Sequence, residues 1–265
     1  YFHERCIAEV FSELASSSQE VRENLDAKSS LLIVGYTGKA AIRCKESIES
    51  YLRRPLELDP DQMAAMRGAL NSGVSFIDGA AGCGKTTTLG ALVSALVHRS
   101  RRDGLKKART EVETFTMHKI FHGKPGNLPT NSPTAGRLAA SIVGRVTVII
   151  DEASMVDCAT MGKFLAHVRG AAHIVRLVLV GDLEQLPPIG CGGVLHDVVR
   201  SRRVPVFRLH KVHRQAGENN GILINAHAVR GLSGNGHVSG VLVSRNNFAY
   251  DQLPAGSGIS ALVEA

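Results

Sequence analysis

The sequence predicts an α/β fold, a parallel sheet with helices on both faces, from three observations. Apolar strand-like runs at 74–77, 146–150, 174–180 and 204–209 alternate with stretches whose apolar residues recur at helical spacing. Two of these runs end in polar residues, Asp151-Glu152 and Asp182-Leu183-Glu184-Gln185, at the strand ends where open α/β sheets bind ligands. A third, Val74-Ser75-Phe76-Ile77, leads through a glycine loop into a helical stripe of Leu89, Leu92, Val93, Leu96 and Val97.

Ahead of this pattern, Phe2, Cys6, Ile7, Val10, Phe11 and Leu14 form one helical stripe, and Ala41, Cys44, Ile48, Tyr51 and Leu52 form another. Between them, Ile33-Val34-Gly35-Tyr36-Thr37-Gly38-Lys39-Ala40-Ala41 reads as a glycine turn opening the second helix. It is either an ordinary inter-helix turn or one that offers backbone N–H groups to a phosphate. Residues 1–56 are therefore expected to form a small helical N-terminal domain. Arg53-Arg54-Pro55 breaks the pattern, and Asp59-Pro60-Asp61-Gln62 restarts it with an N-cap, a proline at the first helical position and a glutamine at the third. The main domain is expected over 57–235, with a surface loop rich in proline and glycine at 123–136. Residues 236–265, glycine-rich with the short pieces Val241-Leu242-Val243 and Phe248, read as the start of a truncated second domain.

The 265 residues can bury one large core, or a core plus a small appended domain. No apolar run approaches the ~20 residues that span a bilayer, so no membrane partner is expected. The chain opens Tyr-Phe-His-Glu-Arg, without the basic start and apolar stretch of a secretory signal, so a cytoplasmic location is expected; a missing initiator Met points to a fragment or processed chain. Five scattered cysteines with no Cys-x-x-Cys spacing argue against a disulfide framework or zinc site and for reduced thiols. The net charge of +7 suits a polyanionic partner, and much of it clusters at His98, Arg99, Arg101, Arg102, Lys106, Lys107 and Arg109 and again at Arg200, Arg202 and Arg203. With no Trp and few aromatics, contacts to a nucleic acid should fall mainly on its backbone.

Gly79-Ala80-Ala81-Gly82-Cys83-Gly84-Lys85-Thr86 fits the pattern of a glycine, four residues, then Gly-Lys-Thr. A phosphate chain needs close backbone approach, which glycine allows, and charge compensation, which loop N–H groups, a helix N-terminus and a lysine supply. Lys85 is expected on the β- and γ-phosphates of ATP, Thr86 on Mg²⁺ and Thr87 on a neighbouring phosphate oxygen. The run Val146-Thr147-Val148-Ile149-Ile150 then delivers Asp151, expected to hold the metal, and Glu152, placed to act as general base towards an attacking water.

Asp151-Glu152-Ala153-Ser154-Met155-Val156-Asp157, followed by Gly181-Asp182-Leu183-Glu184-Gln185-Leu186-Pro187-Pro188, resembles the second and third motifs of superfamily 1 helicases. The nearest branch is RecD/TraA-like, which includes the exonuclease V alpha subunit, and the resemblance covers residues ~57 to ~235. It implies a RecA-like P-loop domain that hydrolyses ATP with Mg²⁺ and moves 5′ to 3′ along single-stranded DNA, separating strands at a junction. It also implies roles by position. Gln62 resembles a glutamine that reads adenine, and Gln185 one that couples the γ-phosphate to the DNA site. Arg214 resembles an arginine on the γ-phosphate, and Thr116 and His118 resemble a Thr-x-His motif on single-stranded DNA.

The family usually carries an Ala-Pro-Thr-Gly-Lys-Ala-Ala-like motif between the P-loop helix and Thr-x-His. Here the Thr-Gly-Lys-Ala-Ala stands at 37–41, ahead of the P-loop, so it is either unrelated to that motif or the motif itself is lost. The motifs of a second RecA-like domain are also missing, so other subunits or a further domain are implied partners. Two rival readings remain. One is a helicase-derived module that binds DNA or a partner with weak or vestigial ATPase. The other is a P-loop enzyme outside nucleic-acid work, such as a kinase.

Overall fold

The computed structural model describes residues 2–17, 29–53, 57–102, 114–120, 144–213 and 225. In chain order the elements are α1 (Phe2–Ser16), β1 (Ser29–Gly35), α2 (Gly38–Arg53), α3 (Pro60–Asn71), β2 (Val74–Gly79), α4 (Lys85–Arg102), β3 (Thr114–Thr116) and α5 (Met117–Ile120). There follow β4 (Gly144–Asp151), a 3₁₀ turn (Ala153–Met155), α6 (Cys158–Ala171), β5 (Ala172–Gly181), α7 (Val194–Ser201) and β6 (Val206–Leu209). The strands form one sheet in the order β3-β1-β4-β5-β2-β6, and every pairing is parallel. This is the α/β class predicted, and its strands are apolar on both faces because helices cover both. Leu32, Val34, Val146, Val148, Ile150, Leu177 and Leu179 join one core with α1, α6 and α7. The alternate residues Ile33, Ile149, Val178 and Val180, equally buried, point to the other face.

Residues 1–56 do not stand apart as a helical domain. α1 and α2 are helices, but β1 between them is a sheet strand flanked by β3 and β4, with Leu32, Ile33 and Val34 all fully buried. α2 packs on α4, and the Ser47 hydroxyl donates to the Thr86 carbonyl at 3.1 Å, joining it to the first turn after the P-loop. On the opposite face α1 lies so close to α6 that a Cβ on Gly162 would come within 2.5 Å of His3 Cβ. A strand this apolar has no way to bury both faces except inside the sheet, and Tyr1–Lys211 form one compact unit. The second unit, Val212–Ala265, begins ahead of the expected boundary at 236. Of that unit only 212, 213 and 225 are described, and the loop at 123–136 and the strand-like pieces near 241–248 lie outside the described residues. Among the described residues, no helix is long and apolar enough to cross a membrane.

α3 carries the predicted capping box: Asp59 accepts from Gln62 N at 2.8 Å, and Gln62 Oε1 accepts from Asp59 N at 3.1 Å. Its other end depends on a residue concealed in an apolar run. Arg176, in β5 and 1% exposed, donates from Nη2 to the Leu70 carbonyl at 2.9 Å and from Nε to the Ser72 carbonyl at 3.3 Å. Helix-terminal carbonyls lack intrahelical donors and favour a cation. An irregular register makes the contact possible. Val146 pairs Ile174 but Thr147 pairs Arg176, so one extra residue turns Arg176 onto the α3 side of the sheet.

Arg176→Met should preserve the fold and destabilise it by about 2–4 kcal/mol, because it leaves buried carbonyls without their charged donor. Urea unfolding checks this: the midpoint should fall with an unchanged slope, and an unchanged midpoint would show the helix end needs no such donor.

Candidate nucleotide and strand-binding site

The predicted site residues gather at the C-terminal edge of the sheet. At the end of β2 the chain turns through Gly82 (φ +87°) and Gly84 (φ +79°), a backbone region that L side chains rarely adopt. Gly79 faces Leu209 so closely that a Cβ there would lie 3.1 Å from Leu209 Cβ. Lys85 opens α4 and folds back over the loop, its ammonium donating to the carbonyls of Gly79 and Ala80, the latter at 3.1 Å. Ala80 and Ala81 form the rim, and Cys83 is turned inward, 2% exposed. Thr86 and Thr87 are partly exposed at the helix start, whereas Thr88 is buried and its hydroxyl donates to the Gly84 carbonyl at 3.0 Å.

β4 ends at Asp151, 9% exposed, whose Oδ1 accepts the Glu152 N–H at 2.9 Å. Burial raises the Asp151 carboxyl from 3.8 to about 6, only partly offset by that N–H; the Glu152 charge raises it further, while Lys85 and Arg43 draw it down. Glu152 itself has φ +58° and ψ +38°, a left-handed conformation that is strained for a residue with a Cβ. It lifts the Glu152 side chain out of the strand direction at the site of the expected general base.

The chain leaving β5 is tied down amide by amide. Leu183 N–H donates to Asp78 Oδ1 at 3.1 Å, Glu184 N–H to Asp182 Oδ1 at 3.0 Å, and Gln185 N–H to the Asp182 carbonyl at 3.3 Å. Gln185 is exposed, as are Leu186 and Ile189 beyond it. The return leg is fastened to the start of α6 by Cys158 N–H donating to the Cys191 carbonyl at 3.2 Å.

On the other side of β4, the turn after β1 meets the Thr-x-His residues. Gly35 pairs both Asp151 and Thr116, and the Tyr36 N–H donates to the Asp151 carbonyl at 3.2 Å. The Tyr36 ring meets the His118 ring edge-on at 5.5 Å. Thr37 caps α2, its hydroxyl accepting from Ala40 N at 3.1 Å, and Gly38 and Lys39 are exposed. Gln62 is 3% exposed in its capping box, at the start of α3. Beside it, Asp61 Oδ2 meets His210 Nδ1 at 3.0 Å and the His210 N–H at 3.2 Å, tying the end of β6 to α3. Arg214, four residues further on, lies outside the described residues.

The sequence alone did not single out Asp78 or Tyr36: Asp78 stands just before the first glycine of the phosphate pattern, at the end of an apolar run, and Tyr36 directly follows β1, a strand that sequence alone reads as part of a turn between helices. The donors present suit Mg²⁺ together with a nucleotide. Thr86 and Asp151 offer hard oxygens, and no cluster of three or more His, Cys, Asp or Glu occurs among the described residues. Phosphate oxygens and water would complete such a shell, as Mg²⁺ favours.

A carboxyl whose folded pKa lies above its unfolded value of 3.8 stabilises the fold fully only below that value, and the contribution is lost as pH rises through about 6. Keeping Asp151 ionised at neutral pH therefore opposes folding in the absence of nucleotide. Asp151→Asn retains the acceptor for Glu152 N–H and should stabilise the nucleotide-free protein at pH 8 by roughly 1–3 kcal/mol. Thermal unfolding of both proteins should show the gap close near pH 4; an equal gap at both pH values would refute the account.

The RecBCD subunit RecD of Mycobacterium tuberculosis is 28% identical over 235 residues, covering 74% of this chain and 39% of that protein. The ATP-dependent RecD2 DNA helicase of Deinococcus radiodurans is 30% identical over 171 residues, covering 60% of this chain and 21% of that protein. A crystal structure of Pif1 helicase from Candida albicans aligns with a TM-score of 0.46 at 22% identity, over 65% of this chain and 44% of that one. The chain thus spans less than half the length of these relatives. Residues 57–238, well over half of the chain, match the AAA domain family, and the chain belongs to that family.

Proposed function

We propose that this chain is the ATP-hydrolysing part of a DNA helicase motor that moves 5′ to 3′ on single-stranded DNA. The observation that carries the reading is the convergence of Lys85, Asp151 and Glu152 on one edge of the sheet, after the ends of β2 and β4 on either side of β5, with Lys85 and Asp151 within electrostatic reach of each other. Of the named relatives, one is a RecBCD enzyme subunit and another an ATP-dependent DNA helicase, which supports the same reading.

Each residue then has a task. The loop N–H groups of 79–84 and the Lys85 ammonium hold the phosphates, Lys85 exchanging its own-loop carbonyls for phosphate oxygens. Thr86 and Asp151 would hold Mg²⁺, which would supply charge neutralisation to the phosphate chain, and Thr87 steadies a phosphate oxygen. Glu152 accepts the proton of the water that attacks the γ-phosphorus, releasing ADP and phosphate. Gln185 and Arg214 report and stabilise charge on the γ-phosphate, and Gln62 contacts adenine with the amide end of its buried side chain.

The strand-binding surface comprises Thr116, His118 and the turn at 37–41. Support comes from the sheet order: β1 lies between β4 and β3, so the Thr37-Gly38-Lys39 turn opens beside His118 although it precedes the P-loop in sequence. The exposed Lys39 and the exposed His118 face a polyanion from one edge. A second RecA-like domain or partner subunit would close on the nucleotide from the far side.

Lys85→Ala should abolish ATP turnover, and Glu152→Gln should retain nucleotide binding while lowering kcat by on the order of 10²–10⁴. Turnover that survives Lys85→Ala would refute the site assignment. Lys39→Glu should weaken single-stranded DNA binding and flatten its salt dependence by roughly 0.7 in the log–log slope, the share of one phosphate contact. Fluorescence anisotropy across a salt series measures it, and an unaltered slope would remove the 37–41 turn from the DNA surface.

A further inference from the structure

We propose that Asp78 is a positioning residue that registers the Gln185 loop against the P-loop, so that hydrolysis, rather than nucleotide binding, depends on it. The inference rests on the ATP-site reading above.

Asp78 is the last residue before Gly79 and the phosphate loop. In the sheet it pairs Gly181 of β5 on one side and Arg208 of β6 on the other, so it is the residue of β2 that faces the exits of both neighbouring strands. Its Oδ1 accepts the Leu183 N–H at 3.1 Å, two residues ahead of Gln185. Asp182 holds the next two amides, Glu184 at 3.0 Å and Gln185 at 3.3 Å. Asp182 belongs to the loop itself and fixes only its local shape. Asp78 belongs to the P-loop strand and fixes where that shape sits. The covalent step from Gly79 to Asp78 and one hydrogen bond to Leu183 make a short link between the phosphate cradle and Gln185.

The fold does not gain from a charge at this point. Burial raises the Asp78 carboxyl above its ordinary range; the Leu183 N–H draws it down, the nearby Asp182 charge raises it further, and Arg208 and Lys85 draw it down without reversing the rise. The Arg208 pairing, at 3.6 Å with Arg208 60% exposed, is screened by water and contributes little. The useful property of Asp78 is therefore its acceptor oxygen and not its charge. A half-buried carboxylate beside another carboxylate, with one directed hydrogen bond into a loop over the site, is the pattern of a group retained for geometry.

The experiment compares wild type, Asp78→Ala and Asp78→Asn by steady-state ATP hydrolysis, nucleotide affinity and amide hydrogen exchange at 183–185 without nucleotide. In Asp78→Ala, kcat should fall by on the order of 10- to 100-fold, as for a displaced catalytic group, with nucleotide affinity and KM little changed. Asp78→Asn keeps an acceptor and should recover most of kcat. Exchange at Leu183 should be slow in wild type and Asp78→Asn and fast in Asp78→Ala. Wild-type kcat in Asp78→Ala, a defect confined to KM, or Asp78→Asn as slow as Asp78→Ala would each overturn the inference while the ATP site stood. A wild-type protein without Lys85-dependent turnover would overturn the site reading and this inference together, and fast Leu183 exchange in wild type would overturn the tether by itself.

Discussion

The lateral register of the parallel strands is the constraint on which the rest depends. Asp78 pairs Gly181, Ile150 pairs Leu179, and Gly35 pairs both Asp151 and Thr116, so five strands end nearly level. Ladder hydrogen bonds fix this alignment, and core faces buried on both sides hold it, since a slip of one residue would exchange the two faces of every strand. Because the strands are parallel, their C-terminal ends share one edge. The P-loop, the acidic pair, the Gln185 loop and the Thr-x-His segment meet there as a consequence.

That edge is where the molecule departs from its own stability rules. Asp151 is a buried carboxylate, Glu152 adopts a left-handed backbone, Asp78 and Asp182 stand close together, and the Lys85 ammonium donates, among the described residues, to carbonyls of its own loop. A phosphate chain with a divalent cation would relieve two of these, giving Lys85 an anion and Asp151 a counter-charge, whereas the Glu152 backbone and the Asp78–Asp182 pair belong to the fold itself. Strain concentrated in this way at one edge is characteristic of a preorganised site. Elsewhere the polar groups serve the fold: Arg176 secures the end of α3, and Asp157 caps α6 by accepting from Thr160 N at 2.8 Å.

The sequence was most legible where chemistry and pattern coincide. The P-loop, the strand before it and the apolar run into Asp151 need no tertiary context, because glycine spacing and unbroken apolar residues are local signals. β1 was less legible. Leu31-Leu32-Ile33-Val34 has strand composition, but two amphipathic helices on either side invited reading it as their connection, and only the gap between β3 and β4 explains what buries it. Arg176 was invisible for a related reason: its partner carbonyls lie over a hundred residues earlier in the chain, and the irregular register that turns it towards them leaves no mark in the sequence. Asp78 was masked by its neighbour, since the phosphate pattern starts one residue later.

The place of β1 shows how strand order across a sheet brings together segments that lie far apart in the sequence. In a parallel sheet a strand is specified by its hydrogen-bonding edges and its two apolar faces, and neither depends on which residues precede it. β1 occupies the slot between β4 and β3 although it precedes the P-loop strand in the sequence, and α2 packs against α4. The Tyr36 amide bonded to Asp151 and the Tyr36 ring against His118 bring the turn to 37–41 beside both Asp151 and the Thr-x-His segment. The Thr-Gly-Lys-Ala-Ala at 37–41 precedes the P-loop along the sequence, yet across the sheet its start lies beside Asp151 and His118, because β1 is held between β4 and β3.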